Sequence, residues 1–356
     1  MAENTTSKNH PAHLSPSELG TKEYWETFYT RTLTHISTKR AATAETTKSK
    51  EQRQTSDNGN DFENEDSDSE DDYNGDSDPG TSWFSEHNAP QKVLSFLTDE
   101  SFPLAPVNTL PPTSTSTSSN PTQKSGRRKK GTPLPPAEKE KQPSILDLGT
   151  GNGSMLALLR KRGGFAGNMV GVDYSAKSVE LARELQERRG HEAYQSDSED
   201  ESGFGDEDDE DIDPSTEDSQ WDEIVFEEWD ILSPSTPASI QEKKIPWFPY
   251  KTSGFDIVLD KGTFDAISLM AEKEGTEKYP SIAGGLVRRG GFLIVTSCNW
   301  TEEEVVRWFT RGDVVDVGLD EEGPSKLVVW GRVQYPRFRF GGQEGQGVCT
   351  VCFQRV

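Results

Sequence analysis

Four aspartates and three glycines carry the chemistry legible in this sequence. Asp147, Asp173, Asp230 and Asp260 each lie at the end of a short apolar run, and Gly149, Gly151 and Gly153 recur at every second position in Ser144-Ile-Leu-Asp-Leu-Gly-Thr-Gly-Asn-Gly-Ser154. Glycine is required where backbone takes positive φ or lies against a ligand with no Cβ between them. The loop therefore reads as a cradle for a molecule touching main chain, the alternative being a sharp strand-to-helix turn with no ligand. Asp173, some twenty residues past the loop, is placed to accept both hydroxyls of a ribose. Asp230, after Trp229, is placed for an adenine amino group, with Ile231 offering backbone and apolar surface. Asp147 offers negative charge to a cation, which leaves Asp260 and Lys261 nearest the reacting atom.

What the loop is not narrows the ligand. A phosphate loop places Lys-Ser/Thr after its last glycine, whereas Gly153 is followed by Ser154-Met155. A dinucleotide loop is spaced Gly-x-Gly-x-x-Gly without a preceding acid, and Asp147 would repel a pyrophosphate.

The elements that must position these residues follow from the apolar pattern. Strands are expected at 145–148, 169–173, 224–231, 255–260, 292–296, near 326–333 and at 348–355. Helices are expected at 154–162, from Ser175 to about Arg189, up to a stop at Arg288-Arg-Gly-Gly291, and from Asn299-Trp-Thr301 to about Thr310. The β-α-β alternation makes the strands parallel and the fold a doubly wound, mostly parallel α/β sheet. In such sheets ligands bind beyond the carboxyl ends of the strands, where all four acids fall.

Composition bounds the rest of the 356 residues. At 31% hydrophobic and a mean hydropathy of −0.80, the chain is too polar to be all core. The net charge of −24 comes from two acid runs, ten acids at 61–78 and thirteen at 197–218, neither containing Lys or Arg. The remaining acids balance the 38 Lys and Arg almost one for one, which argues against nucleic acid as a partner. Cys298, Cys349 and Cys352 are too few for a disulfide framework and suit a reducing compartment. The spacing Cys349-x-x-Cys352 sits in an alternating strand that points the thiols to opposite faces. No apolar stretch reaches membrane-spanning length, so a soluble cytoplasmic protein with no membrane partner is expected. The basic cluster Lys124-Ser-Gly-Arg-Arg-Lys-Lys130 reads either as a nuclear import signal or as solvated linker.

These properties give an expected organisation. Residues 1–40 hold a disordered tail and then an amphipathic helix from Ser17 through Ile36; 41–80 is a disordered acidic segment. Residues 81–100 form a short helix in which Trp83 and Phe84 are either an anchor or a lid, 101–143 a Pro/Ser/Thr-rich linker, and 144–356 the α/β domain with a disordered insertion at about 192–219.

The motif Leu-Asp-Leu-Gly-Thr-Gly-Asn-Gly at 146–153 resembles motif I of the class I methyltransferases, whose ligand S-adenosylmethionine carries an ammonium and a sulfonium but no phosphate. Leu259-Asp-Lys-Gly-Thr-Phe-Asp-Ala266 resembles the motif of eukaryotic lysine methyltransferases acting on translation elongation factor 1-alpha, and differs from the Asn/Asp-Pro-Pro-Tyr of nucleic-acid amino methyltransferases. Leu19-Gly-Thr-Lys-Glu-Tyr-Trp25, Trp83-Phe84, Val172-Asp-Tyr-Ser175 and Thr296-Ser-Cys-Asn-Trp300 match the same branch. The resemblance implies a seven-stranded sheet, S-adenosylmethionine as cofactor, no metal, and a monomeric protein-lysine N-methyltransferase with elongation factor 1-alpha as protein substrate. It implies cofactor contacts from Trp25, Asp147, Gly149, Thr150, Gly151, Gly153, Asp173, Tyr174, Asp230, Ile231 and Asp260. Asp260, Lys261 and Asn299 are then expected at the transferred methyl, and Trp83, Phe84 and Trp300 as a substrate wall, the alternatives being a helix cap for Asn299 and core packing for Trp300. A methyltransferase of the same fold acting on a small molecule or nucleic acid, and a non-catalytic binding module, are the alternatives.

Overall fold

The computed structural model describes residues 12–53, 84, 87–110, 141–188, 223–314, 323–340 and 343–356, with backbone alone for 39–53, 337–340 and 343–346. Both acid runs, the basic cluster and Trp83 lie outside the described residues, as do 1–11, 54–82 and 111–140 of the expected tail, acidic segment and linker.

The strands are β1 (Ile145–Leu148), β2 (Met169–Asp173), β3 (Val225–Glu228), β4 (Phe255–Lys261), β5 (Val287–Ser297), β6 (Leu327–Val333), β7 (Arg337–Phe340), β8 (Gln343–Gln346) and β9 (Cys349–Arg355). Seven form one sheet in the order β3-β2-β1-β4-β5-β9-β6, while β7 and β8 pair as a separate hairpin. Pairing is parallel from β3 to β5, and β9 runs antiparallel to both β5 and β6. The expected doubly wound, seven-stranded sheet is thus present. Strand order reverses between β1 and β4, which opens a crevice at their carboxyl ends.

Alternation along the strands divides the core in two. Leu146, Leu148, Val258, Leu293 and Val295 face one cluster. It is covered by α6 (Thr236–Gln241), α7 (Thr263–Ser268), α8 (Lys273–Gly285) and α9 (Glu302–Thr310). Ile145, Ile257, Leu259 and Ile294 face the other, covered by α1 (Lys22–Arg53), α2 (Ala89–Thr98), α4 (Ser154–Lys161) and α5 (Ala176–Arg188). Cys349 falls in the first cluster and Cys352 in the second, both as free thiols, as strand parity requires. No described helix is long and apolar enough to cross a membrane.

Four boundaries differ from expectation. Ser17 caps a short 3-10 turn, Glu18–Gly20, by accepting from the Leu19 N–H; Thr21 Oγ1 then accepts from Tyr24 N–H and opens α1, which runs on to Arg53. Residues 12–16 are docked rather than tail-like, because Leu14 packs on the core and the His13 ring meets Trp308 edge-on at 5.7 Å. At the start of the expected linker, Phe102 and Ala105 are fully buried and Pro106–Thr109 forms α3; Phe102 packs on Phe292 and Trp330. Finally, α8 stops at Gly285, so Val287 to Gly291 belong to β5. Phe255 N–H takes the Leu286 carbonyl and pairs β4 with Val287, which commits these residues to the sheet.

Two glutamines close chain intervals on themselves. Gln142 donates through Nε2 to the Thr109 carbonyl and accepts from Thr109 Oγ1, joining the two ends of 110–141. Gln186 bonds both the N–H and the carbonyl of Ile224, joining the ends of 187–223.

Candidate functional site

A cavity of about 350 Å³ opens beyond the carboxyl ends of β1, β2 and β4. Its floor is bare main chain at Gly149 and Gly151, both at φ 60°, a left-handed conformation that suits glycine. A Cβ on Gly149 would overlap Thr263 Oγ1, whose hydroxyl donates to the Leu148 carbonyl at 2.6 Å and ties the loop to α7. Gly153, at φ 78°, caps α4 and does not line the cavity; its role is the turn.

The roof comes from the N-terminal segment. Trp25 and Tyr29, one turn apart on α1, line the cavity, with Tyr29 over Gly151. Trp25 Nε1 donates to the Leu19 carbonyl at 2.8 Å. Glu26 accepts the Ala176 N–H at the start of α5, and Lys22 pairs with Glu228 at 3.1 Å. Leu19 and Gly20 reach the rim, where Ser17 N–H donates to the Leu269 carbonyl and Gly20 lies against the Leu269–Met270 backbone too closely for any Cβ. Gly20→Val is therefore expected to lift this segment. Amide exchange over residues 17–33 should speed up several-fold while exchange in β1 and β4 stays unchanged; equal protection in the variant would show that the contact is not what seats the roof.

The acids take distinct places. Asp173 lines the cavity while accepting from Ser175 N–H at 2.9 Å and Gly151 N–H at 3.1 Å, with Ser178 Oγ 2.8 Å from its Oδ2. A carboxylate has about four acceptor positions, so capacity remains for a ligand hydroxyl. Burial raises its pKa against these donors. Asp230, just past the end of β3, is exposed at the rim with Oδ1 on the Leu232 N–H; Tyr174, Trp229 and Ile231 line the adjoining wall. Asp147 lies beneath the loop, where it accepts from Thr150 Oγ1 at 2.8 Å and does not line the cavity, nor does Thr150. Burial pushes its pKa up to about 6 against the opposing charge of Lys261. These two residues brace the loop from below.

Asp260 departs from its expected place at the reacting atom. It shares strand parity with Val258, so its carboxylate turns into the core beneath α7 and α8, and it does not line the cavity. It accepts from the Thr263 and Phe264 N–H groups, at 2.9 and 3.2 Å, and from Tyr279 Oη at 2.8 Å. Burial raises its pKa to about 7. Trp300 takes the core-packing alternative and not the substrate wall: its ring packs between Phe264 and Trp308, and its Nε1 donates to Ser268 Oγ at 3.0 Å. Ser297 Oγ accepts the Trp300 N–H and turns the chain inward after β5. Lys261, Phe84 and Asn299 do line the cavity, with the Lys261 ammonium 5.5 Å from the Phe84 ring centroid.

Sequence reasoning did not single out Tyr29, Lys22, Thr263, Asp265, Leu269 or Met270, all of which line the cavity. Tyr29 was signalled by its spacing from Trp25, and Lys22, Thr263 and Asp265 lie inside the quoted motifs, whereas Leu269 and Met270 had no local pattern to mark them. Three carboxylates, Asp173, Asp230 and Asp265, and two lysines, Lys22 and Lys261, line the cavity, and the loop lacks the Lys-Ser/Thr of a phosphate loop, so the cavity suits a nucleoside with cationic groups better than a nucleotide. Among the described residues, no group of three or more His, Cys, Asp or Glu is placed to hold a metal.

Comparison with known proteins agrees with this geometry. The family described as a methyltransferase domain matches residues 139–213. The protein-lysine N-methyltransferase EFM4 of Saccharomyces cerevisiae is 26% identical over 347 residues, which cover 96% of both chains. The EEF1A lysine methyltransferase 2 of Homo sapiens is 31% identical over 215 residues, 60% of this chain and 66% of that protein; its Danio rerio counterpart is 30% identical over 215 residues, with the same coverage. This chain is an enzyme that carries a methyltransferase domain at 139–213, and it resembles the class I methyltransferases and, among them, the lysine methyltransferases of elongation factor 1-alpha.

Proposed function

We propose that this enzyme transfers methyl groups from S-adenosylmethionine to a lysine of translation elongation factor 1-alpha. The observation that carries the reading is the bare Gly149–Gly151 backbone inside a cavity lined by carboxylates, in a chain similar to a protein-lysine methyltransferase along nearly its whole length. When bound, the cofactor supplies a sulfonium methyl group open to in-line attack. Asp173 takes a ribose hydroxyl at its remaining acceptor position, and Asp230 with Ile231 takes the adenine. Trp25 and Tyr174 exclude water above the nucleoside, while Asp147 and Thr150 hold the loop on which the methionine portion rests.

The order β3-β2-β1-β4-β5 fixes a direction along the cavity. With the nucleoside over β3 and β2, the methyl end points to Lys261, Phe84 and Asn299, so the substrate lysine enters there. A lysine of ordinary pKa, about 10.4, must reach the cofactor as the neutral amine, so orientation and proton removal are the tasks left to the protein. The chain's own α1 completes the roof, and the enzyme acts as a monomer on this reading; sedimentation showing a stable dimer would contradict that point.

The test is incubation of the purified enzyme with labelled S-adenosylmethionine and native elongation factor 1-alpha. Mass spectrometry should place the label on one lysine. Label on nucleic acid or a small amine, with none on the factor, would overturn the substrate while leaving the fold intact.

A further inference from the structure

Asp265 opens α7, lines the cavity and is only 4% exposed. Its Oδ1 accepts from the Ser297 hydroxyl at 2.5 Å and its Oδ2 from the Cys298 N–H at 2.8 Å, with the Cys298 thiol 3.3 Å away. The Asn299 N–H also reaches this carboxylate, all of these donors are neutral, and among the described residues no Lys or Arg is ion-paired with it. Asp265 also helps to raise the pKa of Asp260, a second buried acid. Asp147, by contrast, has the opposing charge of Lys261. A buried carboxylate without a counter-charge is costly, and one that faces a cavity can be completed by a cation from outside.

Its place along the sheet selects which cation. Asp230 follows β3, Asp173 ends β2, the glycines follow β1, Asp265 follows β4 and Asn299 follows β5. Asp265 and Asn299 therefore lie at the end of the cavity opposite the nucleoside. Phe84 and Lys261 stand at that same end, where the packing of Phe84 on Gly262 narrows the approach.

We propose that Asp265 receives the Nζ of the substrate lysine, with Asn299 beside it, and is the group that orients this amine and takes its proton. The assignment rests on the protein-lysine reading above. The lysine arrives as an ammonium and pairs with the carboxylate. One Nζ proton passes to Asp265, the freed lone pair forms the N–C bond, the sulfonium sulfur keeps the electrons of the S–C bond that breaks, and the proton leaves Asp265 to solvent. The methylated lysine departs as an ammonium. Burial, which raises the pKa of Asp265, favours its holding that proton.

Asp265→Asn preserves shape and an oxygen acceptor for the Cys298 N–H. It is expected to lower kcat/KM for native elongation factor 1-alpha by about 100-fold or more, while the Kd for S-adenosylhomocysteine, by calorimetry, changes less than about twofold. The wild-type rate should fall as pH drops through the raised pKa of Asp265, and the variant should lack that acidic limb. An unchanged kcat/KM, or a loss of cofactor affinity as large as the loss of turnover, overturns the assignment, the latter because Asp265 would then belong to the cofactor. If Asp265→Asn does not fold, Ser297→Ala removes one donor to the carboxylate from outside the cavity. It should move the acidic limb to higher pH without altering cofactor affinity, and a profile identical to wild type overturns the assignment. A wild-type enzyme that labels no protein lysine sinks the lysine reading and this assignment together. One that labels the factor while Asp265→Asn matches it sinks this assignment alone.

Discussion

Asp260→Ala is expected to lower the stability of the fold by roughly 3 kcal/mol or more, before any effect on methyl transfer can be read. The carboxylate is the acceptor for two backbone N–H groups of α7 and for Tyr279 Oη; the Phe264 N–H and Tyr279 Oη lie within the core and the Thr263 N–H is part-buried. Alanine strands these three donors, two of them buried, and each buried donor left without a partner costs about 1–3 kcal/mol. Chemical denaturation at neutral pH checks the loss. An unchanged midpoint with lost turnover would return Asp260 to the reacting atom. The pH dependence has a definite sign. Burial lifts the folded-state pKa to about 7, against an ordinary value of about 3.9, so between these the folded state binds a proton that the unfolded chain releases. The contribution is therefore full below about pH 4 and is lost as pH rises through about 7. Asp147, lifted to about 6, adds a slope of the same sign. Asp260→Asn should flatten the curve, leaving the parts due to Asp147 and to Asp173 and Asp265, whose pKa values burial also raises.

Asp173→Ala is expected to weaken S-adenosylmethionine binding about 10- to 150-fold through loss of charge-assisted hydrogen bonds worth about 1.5–3 kcal/mol. The carboxylate also holds the Gly151 N–H, so its removal frees the loop that carries the cofactor as well as the group that meets the ribose. Both effects act in the same direction, toward the upper part of that range. Calorimetry with a folded variant checks this. Affinity equal to wild type would mean that neither the ribose nor the loop depends on Asp173.

The fold was largely legible because its signals are local. An apolar run ending in an acid, a glycine turn and a helical stripe each lie within a dozen residues, and strand parity alone placed Cys349 and Cys352 on opposite faces. Parity also held the information that Asp260 faces the same way as Val258, into the core. What could not be read was that α7 and α8 cover that face so tightly that a strand-end acid becomes part of their packing. Asp265 lies on a six-residue helix after a glycine turn, where periodicity is too short to fix which side meets the cavity. The docking of Leu14 and Phe102 was hidden by their polar and proline-rich neighbours, since composition averages over the one side chain that anchors a segment. The stop of α8 at Gly285 rather than at Gly290-Gly291 depended on the pairing of Val287 with Phe255, a contact between residues far apart in the chain.

The glutamine clasps bear on how this chain tolerates change in length. Each joins residues at the amino-terminal edge of the sheet: Gln142 just before β1, and Ile224 just before β3. The cavity lies at the opposite edge. With the two flanks held together by the clasp, a flexible insert placed between them adds closure entropy only as the logarithm of length, about 0.6 kcal/mol per doubling. Length added there is therefore nearly decoupled from catalytic geometry. The clasped intervals are sites where this scaffold can accept a reporter, an epitope or a fused domain without moving a residue that touches the reaction.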